Sequence, residues 1–187
     1  MNIVVYCGAS KGISKIYEQA AKQMGKWIAQ NNHTLVYGGG KMGLMGVIAD
    51  EVLKNGGKVI GIIPQFLVDR EVSHPHLSEL EIVESMSERK NRMVELGQCF
   101  IALPGGPGTL EEITEVFSWA RIARHNHPSI LWNVDGYYEK LYEFLKHMTA
   151  QGFLLEHELQ AIQLLCDFDQ LETYINQYKG LAFRTYD

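Results

Sequence analysis

Seven short runs of β-type apolar residues, at positions 3–7, 34–37, 58–63, 80–83, 99–103, 129–132 and 162–166, alternate with helix-length segments from one end of the chain to the other. Several are apolar at every position, as in Ile3-Val4-Val5-Tyr6 and Phe100-Ile101-Ala102-Leu103. A strand with one wet face alternates in polarity, so these strands need cover on both faces. Strand–helix alternation supplies that cover when the strands run parallel and the helices lie on either side. Helices are expected over residues 14–30, 43–55, 86–96, 109–124, 137–150 and 169–178. With 187 residues, 46% of them hydrophobic, and no repeat, low-complexity tract or linker, one domain spanning 1–187 is expected. The longest irregular piece, residues 64–78, is long enough for a loop that covers a site.

Charge and cysteine usage narrow the partners. A formal charge of -5 argues against a nucleic-acid or anionic-membrane surface and leaves a small molecule as the expected partner. Cys7, Cys99 and Cys166 are odd in number and lack metal-type spacing, so buried thiols in a reducing compartment are expected rather than disulfides. No basic region precedes the first strand and no apolar stretch is long enough to span a bilayer, which points to the cytoplasm.

Three glycine-rich loops follow strands: Gly8-Ala9-Ser10-Lys11-Gly12, Gly38-Gly39-Gly40-Lys41-Met42-Gly43, and Pro104-Gly105-Gly106-Pro107-Gly108-Thr109. In an open α/β sheet all three fall at the carboxyl edge, where ligands bind. The second loop has the glycine spacing of a dinucleotide fingerprint, but the next strand ends Ile62-Ile63-Pro64-Gln65 without the acid that would hold a ribose hydroxyl, which disfavours a redox dinucleotide. No Walker A sequence occurs. The third loop runs into a helix with Glu111 and Glu112 near its start. Backbone N–H groups at a helix N-terminus make a seat for phosphate, whereas two acids repel a bare one, so at least one carboxylate is expected to face another part of the ligand.

Two charged residues stand out, each with an ordinary alternative. Thr109 and Glu112 have the spacing of a capping box, in which the carboxylate serves the helix N-terminus, yet Glu112 also borders the apolar stripe Ile113, Val116, Phe117 and Ala120 and can reach a cleft. Arg89 interrupts another stripe, Met86, Met93 and Leu96, on a helix opened by a second capping box, Ser85 and Glu88. It either snorkels or points, with Lys90, toward the pocket of the Pro104 turn. His74-Pro75-His76 and His125-Asn126-His127 each offer two imidazoles without a third ligand at suitable spacing, so surface loops are expected and no metal site.

Taken together, these residues resemble the Lonely Guy family, the cytokinin riboside 5′-monophosphate phosphoribohydrolases, relatives of which were long mislabelled lysine decarboxylases. The resemblance rests on Cys7-Gly8-Ala9-Ser10, Tyr37-Gly38-Gly39-Gly40 with Gly43-Leu44-Met45-Gly46, Glu88-Arg89-Lys90 with Met93, the Pro104–Glu112 segment, Trp119-Ala120, and Asn133 through Tyr138. It implies a Rossmann-like doubly wound parallel sheet of about seven strands. It also implies hydrolysis of the N-glycosidic bond of an adenine-type nucleoside 5′-monophosphate, without cofactor or metal, by a homodimer. Carried over residue by residue, the catalytic roles fall to Arg89 and Glu112. Substrate contacts fall to Glu71, Arg89, Lys90, Gly105, Gly106, Pro107, Gly108, Thr109, Leu110, Glu111, Glu112 and Ser118. Arg121 and Arg124 are placed to reach a partner's site, with exposed basic helix ends as the alternative.

Departures from the family pattern bear on detail. Pro107 replaces an aromatic and removes one N–H donor from the turn, Lys41 stands where a small residue is common, and Ser118 replaces a threonine. AMP is therefore as reasonable a substrate as a cytokinin nucleotide. Two rival readings remain: a non-catalytic nucleotide-binding or carrier protein on the same fold, needing the loops but not Arg89 and Glu112, and a pyridoxal-phosphate decarboxylase, for which Lys90 beside Arg89 is a poor Schiff-base lysine.

Overall fold

A computed structural model describes residues 1–70 and 72–181. Seven strands, β1 (Asn2–Tyr6), β2 (Thr34–Tyr37), β3 (Lys58–Pro64), β4 (Glu79–Val83), β5 (Cys99–Ala102), β6 (Ser129–Trp132) and β7 (Ile162–Leu165), form one sheet in the order β4-β3-β2-β1-β5-β6-β7. Every pairing is parallel, with Val4 opposite Val36 on one side and Phe100 on the other. The expected doubly wound architecture is present.

Alternate residues of each strand feed two cores, because successive side chains point to opposite faces. Ile3, Val5, Leu35, Tyr37, Cys99 and Ile101 pack under α1 (Lys15–Gln30) and α2 (Gly43–Lys54), whose Met24, Ile28, Ile48 and Val52 are fully enclosed. Val4, Tyr6, Val36, Phe100 and Ala102 pack on the opposite face against Met93 of α4 (Met86–Leu96) and Ile113, Val116 and Phe117 of α5 (Pro107–Arg121). Ser14 caps α1 by accepting from Ile16 N, and the α6 (Glu139–Ala150) helix follows a 3₁₀ turn at Val134–Gly136. Among the described residues no helix is long and apolar enough to cross a membrane.

The element boundaries depart from expectation in instructive places. Residues 64–78 are less irregular than their composition suggests: β3 runs to Pro64, α3 (Gln65–Val68) follows at once, and Ser73 bridges to Gly40. A second short helix, α7 (Glu156–Leu159), precedes β7, and α8 (Phe168–Gln177) closes the described chain. α5 begins at Pro107, two residues before the expected start, and gives way at Ala123, whose φ of 57° ends the helical path. Cys7 and Cys99 are buried as expected, whereas Cys166 is exposed. It follows β7, an edge strand paired on one side alone and buried mainly at its first residue. His74 is not a surface residue: it is 6% exposed, accepts from His76 N at Nδ1 and reaches Asp50 Oδ1 with Nε2 at 3.0 Å.

Candidate active site

The sheet order changes direction at β1: β2 lies on one side and β5 on the other. The loops leaving these two strands diverge, and the gap at the carboxyl edge is where ligands settle in such sheets. A cavity of about 600 Å³ opens there, within the range of small-molecule sites. Tyr6, Cys7, Gly8 and Ala9 line it from the end of β1, Gly38 and Gly40 from the second glycine loop, and Gly106 through Thr109 with Glu111 and Glu112 from α5. The apolar wall of the same cavity comprises Met42, Met45, Ile63, Leu67, Val72 and Met86, with Met86 Sδ 3.9 Å from Arg89 Nη1.

Helices α4 and α5 both begin at this edge and pack on the same sheet face, so residues in their opening turns converge. Arg89 Nη1 lies 3.1 Å from Glu112 Oε1, each side chain 10% exposed. Arg89 Nε donates to the Ile62 carbonyl at 3.1 Å, which anchors the guanidinium to β3. The ion pair lacks hydrogen-bond alignment, so Glu112 Oε1 is buried without a hydrogen-bond partner. Burial raises the Glu112 carboxyl above the usual carboxylate range. Arg89 pulls it back down, Glu111 pushes up, Lys90 lowers and Glu115 raises it again. Gly38 makes room for this arrangement, because a Cβ there would collide with Arg89 Nη2 and sit 2.7 Å from Met45 Cε.

Glu112 is not a capping residue. Gly106 is the N-cap of α5 and carries no side chain to cap with, Pro107 is the first helical residue, and Thr109 the third, which puts both acids in the second turn. The arrangement also accounts for Pro107. At the first helical position the missing N–H is one that would have no intrahelical partner anyway, and the ring fixes φ near its helical value. Gly108 and Thr109 still open the helix with N–H groups that no side chain satisfies. The second expected box is half formed: Ser85 Oγ accepts from Glu88 N, but Glu88 Oε2 takes the N–H of Glu84.

The Pro104 turn is braced from behind. Gly8 N donates to Pro104 O at 3.1 Å, the Tyr138 hydroxyl to Leu103 O at 2.8 Å, and the Tyr137 hydroxyl to Gly105 O. Asn133 Oδ1 in turn accepts from Tyr138 N at 2.9 Å, and left-handed Asp135 and Gly136 swing both tyrosines toward the turn. A Cβ on Gly105 would run into Thr109 Oγ1. The segment Asn133 to Tyr138 thus sets the shape of the Pro104 turn. Its sequence signal is the Asp-Gly turn ahead of two tyrosines.

Not every candidate contact residue lines the cavity. Lys90, its side chain 14% exposed, is absent from the lining and pairs with Glu111 at 2.8 Å and Glu115 at 3.1 Å. Gly105 lines an adjoining space of about 340 Å³ with Ser10, Lys11, Tyr17 and Tyr137. Leu110 and Ser118 are exposed on the outer side of α5, and Glu71 lies outside the described residues. Arg121 is held inside the chain by Glu158 at 3.1 Å, while Arg124 rests over the Trp119 ring. Tyr6, Cys7 and the apolar wall were not singled out as contacts by sequence reading. Among the described residues lining the cavity none is lysine, so the Schiff base of a pyridoxal-phosphate enzyme has no amine there.

The chain matches, over residues 45–175, a family model described as "Possible lysine decarboxylase". A probable cytokinin riboside 5′-monophosphate phosphoribohydrolase of Oryza sativa subsp. japonica is 45% identical over 184 residues, covering 96% of this chain and 75% of the relative. The cytokinin riboside 5′-monophosphate phosphoribohydrolase of Rhodococcoides fascians is 44% identical, covering 82% and 78%. In fold, the chain is similar to the molybdenum cofactor binding protein of Rippkaea orientalis, with a TM-score of 0.70 and 20% identity over 94% of each chain. It is equally similar to the molybdenum cofactor carrier protein of Chlamydomonas reinhardtii, at TM-score 0.70 and 17% identity over 94% and 98%. Those two likenesses establish the shared fold alone. The family match and the relatives' identity together establish that this chain belongs to the Lonely Guy family of phosphoribohydrolases, the group whose family model still carries the decarboxylase description.

Proposed function

We propose that the protein hydrolyses the N-glycosidic bond of adenine-type nucleoside 5′-monophosphates, releasing free base and ribose 5-phosphate. The observation that carries this reading is the buried Arg89–Glu112 pair, with a carboxylate oxygen free of hydrogen bonds, in a cavity that also holds the uncapped start of α5. The names of the relatives support it.

The site divides the substrate into three parts. N–H groups of Gly108 and Thr109, at the positive end of α5, suit the 5′-phosphate, whose binding energy then positions the reacting carbon. Met42, Met45, Ile63, Leu67, Val72 and Met86 suit the base, and unbranched methionines adapt to substituents on it. Breaking the C1′–N bond builds positive charge on the sugar, which an ionised Glu112 stabilises in a water-poor cavity, and Arg89 balances electron density on the departing base. Water supplies the oxygen that ends on C1′ and the proton that ends on the base. Lys90 pairs with Glu111 and Glu115 beside Glu112 and counters their push on its carboxyl.

We also infer a homodimer and a cytoplasmic setting. Leu110, Thr114, Ser118 and Ile122 follow one another at four-residue spacing along the outer side of α5, and Leu110 and Ile122 are 43% and 50% exposed. A second copy covering this stripe would bring Ser118 toward a shared interface. Three free cysteines suit a reducing compartment.

The test is incubation with AMP, N6-prenylated AMP and adenosine, following free base by chromatography. Base release from both monophosphates and not from the nucleoside is expected. Nucleotide binding without base release from any of them would overturn the reading in favour of a carrier.

A further inference from the structure

We propose that the Tyr6 hydroxyl is a further substrate-contacting group, donating a hydrogen bond to an oxygen on the ribose side of the scissile bond, next to Glu112. The inference rests on the hydrolase reading above. Tyr6 ends β1 at the point where the strand order reverses, and its side chain belongs to the core under α4 and α5, the helices that deliver Arg89 and Glu112. It lines the cavity although it is 2% exposed. Its ring is fixed by a parallel stack on Phe100, with centroids 6.5 Å apart and planes 6° apart.

The hydroxyl itself is the anomaly. Buried tyrosines usually place their O–H on a partner, and the two tyrosines nearest this site in the chain's core do so, although the Tyr178 hydroxyl at the far edge of the sheet is buried without one. Tyr37, fully enclosed, donates to Gly40 O at 3.1 Å, and Tyr138, 5% exposed, donates to Leu103 O at 2.8 Å. Tyr6 makes no side-chain hydrogen bond to any described residue. Its oxygen is not sealed in like that of Tyr178, and the residue lines the cavity. A donor held rigid, left unpaired and turned to a ligand space is arranged for the ligand. Its chemistry is limited to donation: burial, and then the Glu112 charge, push the hydroxyl above its usual pKa, so it stays protonated as the reaction proceeds. Tyr6 shares its core with Ile113 and Val116, the α5 residues that follow Glu112, which assigns it to the sugar, where Glu112 acts, rather than to the base.

Tyr6→Phe keeps the ring and its stack and removes the one group in question. With AMP as substrate we expect kcat to fall about ten-fold, the loss of one hydrogen bond, with KM changed less than about two-fold. Because the hydroxyl makes no bond within the chain, Tm should hold or rise. Wild-type kcat in Tyr6→Phe, with base release intact in the wild-type protein, overturns the inference and leaves the hydrolase reading standing. A fall in kcat accompanied by a clear fall in Tm also overturns it, since the hydroxyl would then serve the fold. Absence of base release by the wild-type protein overturns the hydrolase reading first.

Discussion

Substituting Gly38 by alanine should disable the protein without unfolding it. Its φ is not in the left-handed region, so alanine meets no backbone penalty, and the atoms it would strike are the ends of two flexible side chains, Arg89 and Met45. A Cβ would lie 2.9 Å from Arg89 Cζ, against the 3.4 Å at which ordinary contact begins, so the guanidinium carbon must retreat by roughly 0.5 Å and Nη2 by more. Misplacement on the order of 1 Å at a catalytic group costs about 10²-fold. The folded state loses at most the Arg89 Nε–Ile62 bond, about 3 kcal/mol, or up to about 12 °C in Tm for a chain of this size. Gly39→Ala is the matched control. Gly39 has φ +74° and does not line the cavity; alanine there costs about 1–2 kcal/mol of left-handed strain and crowds Ile63 Cβ at 3.0 Å, but its nearest neighbours do not include Arg89. Base release from AMP, normalised to folded protein, should fall about 100-fold in Gly38→Ala and less than about five-fold in Gly39→Ala. Near-wild-type turnover in Gly38→Ala, with the fold intact, would refute the claim that the seat of Arg89 is what this glycine provides.

Three further outcomes follow from particular groups. In the proposed mechanism Glu112 is ionised to stabilise the sugar cation, and burial raises its carboxyl against the opposing pull of Arg89 and Lys90. Activity should therefore fall as pH drops through a value above the roughly 4.3 of an ordinary glutamate, visible as the acid limb of a kcat/KM–pH profile. A limb at or below that value would contradict the assignment. Under native conditions a thiol reagent should label one cysteine of three quickly: Cys166 is exposed, whereas Cys7 and Cys99 are enclosed and their thiols pushed up by burial. Tyr138→Phe leaves the enclosed Leu103 carbonyl without its hydroxyl donor, so unfolding free energy should drop by about 1–3 kcal/mol in a denaturant titration, with kcat lowered as the turn loosens.

What the sequence discloses is what local pattern and composition control. The strands stand out because a doubly covered sheet makes them apolar on both faces, and the edge strands differ from them as edge strands must: Cys166 looks like the end of a buried run but follows β7, which has one neighbour. α3 and α7 span four residues each, too few for a helical period to register. The Thr109–Glu112 spacing imitates a capping box because such spacing is common in helices. The Gly106-Pro107 pair two residues earlier decides the start, since proline at the first helical position needs no N–H. Arg89 and Glu112 were visible as charges on apolar stripes. That both could reach the pocket of the Pro104 turn was legible too; their direct ion pair was not, because it depends on how α4 crosses β3, β2 and β1 on its way to β5. The Arg121–Glu158 pair, 37 positions apart, and the closure of His74 onto Asp50 are invisible for the same reason.

Glu112 joins the fold, the cavity and the chemistry, and Glu112→Gln tests that junction with little change in shape. Binding of AMP measured by calorimetry and adenine release measured on the same preparation separate the two functions of the site. Binding should persist within about ten-fold of wild type, because the proposed phosphate seat at Gly108 and Thr109 and the apolar wall are untouched, while adenine release should fall by about 10³-fold or more. Adenine release at the wild-type rate from Glu112→Gln would contradict the account at its centre.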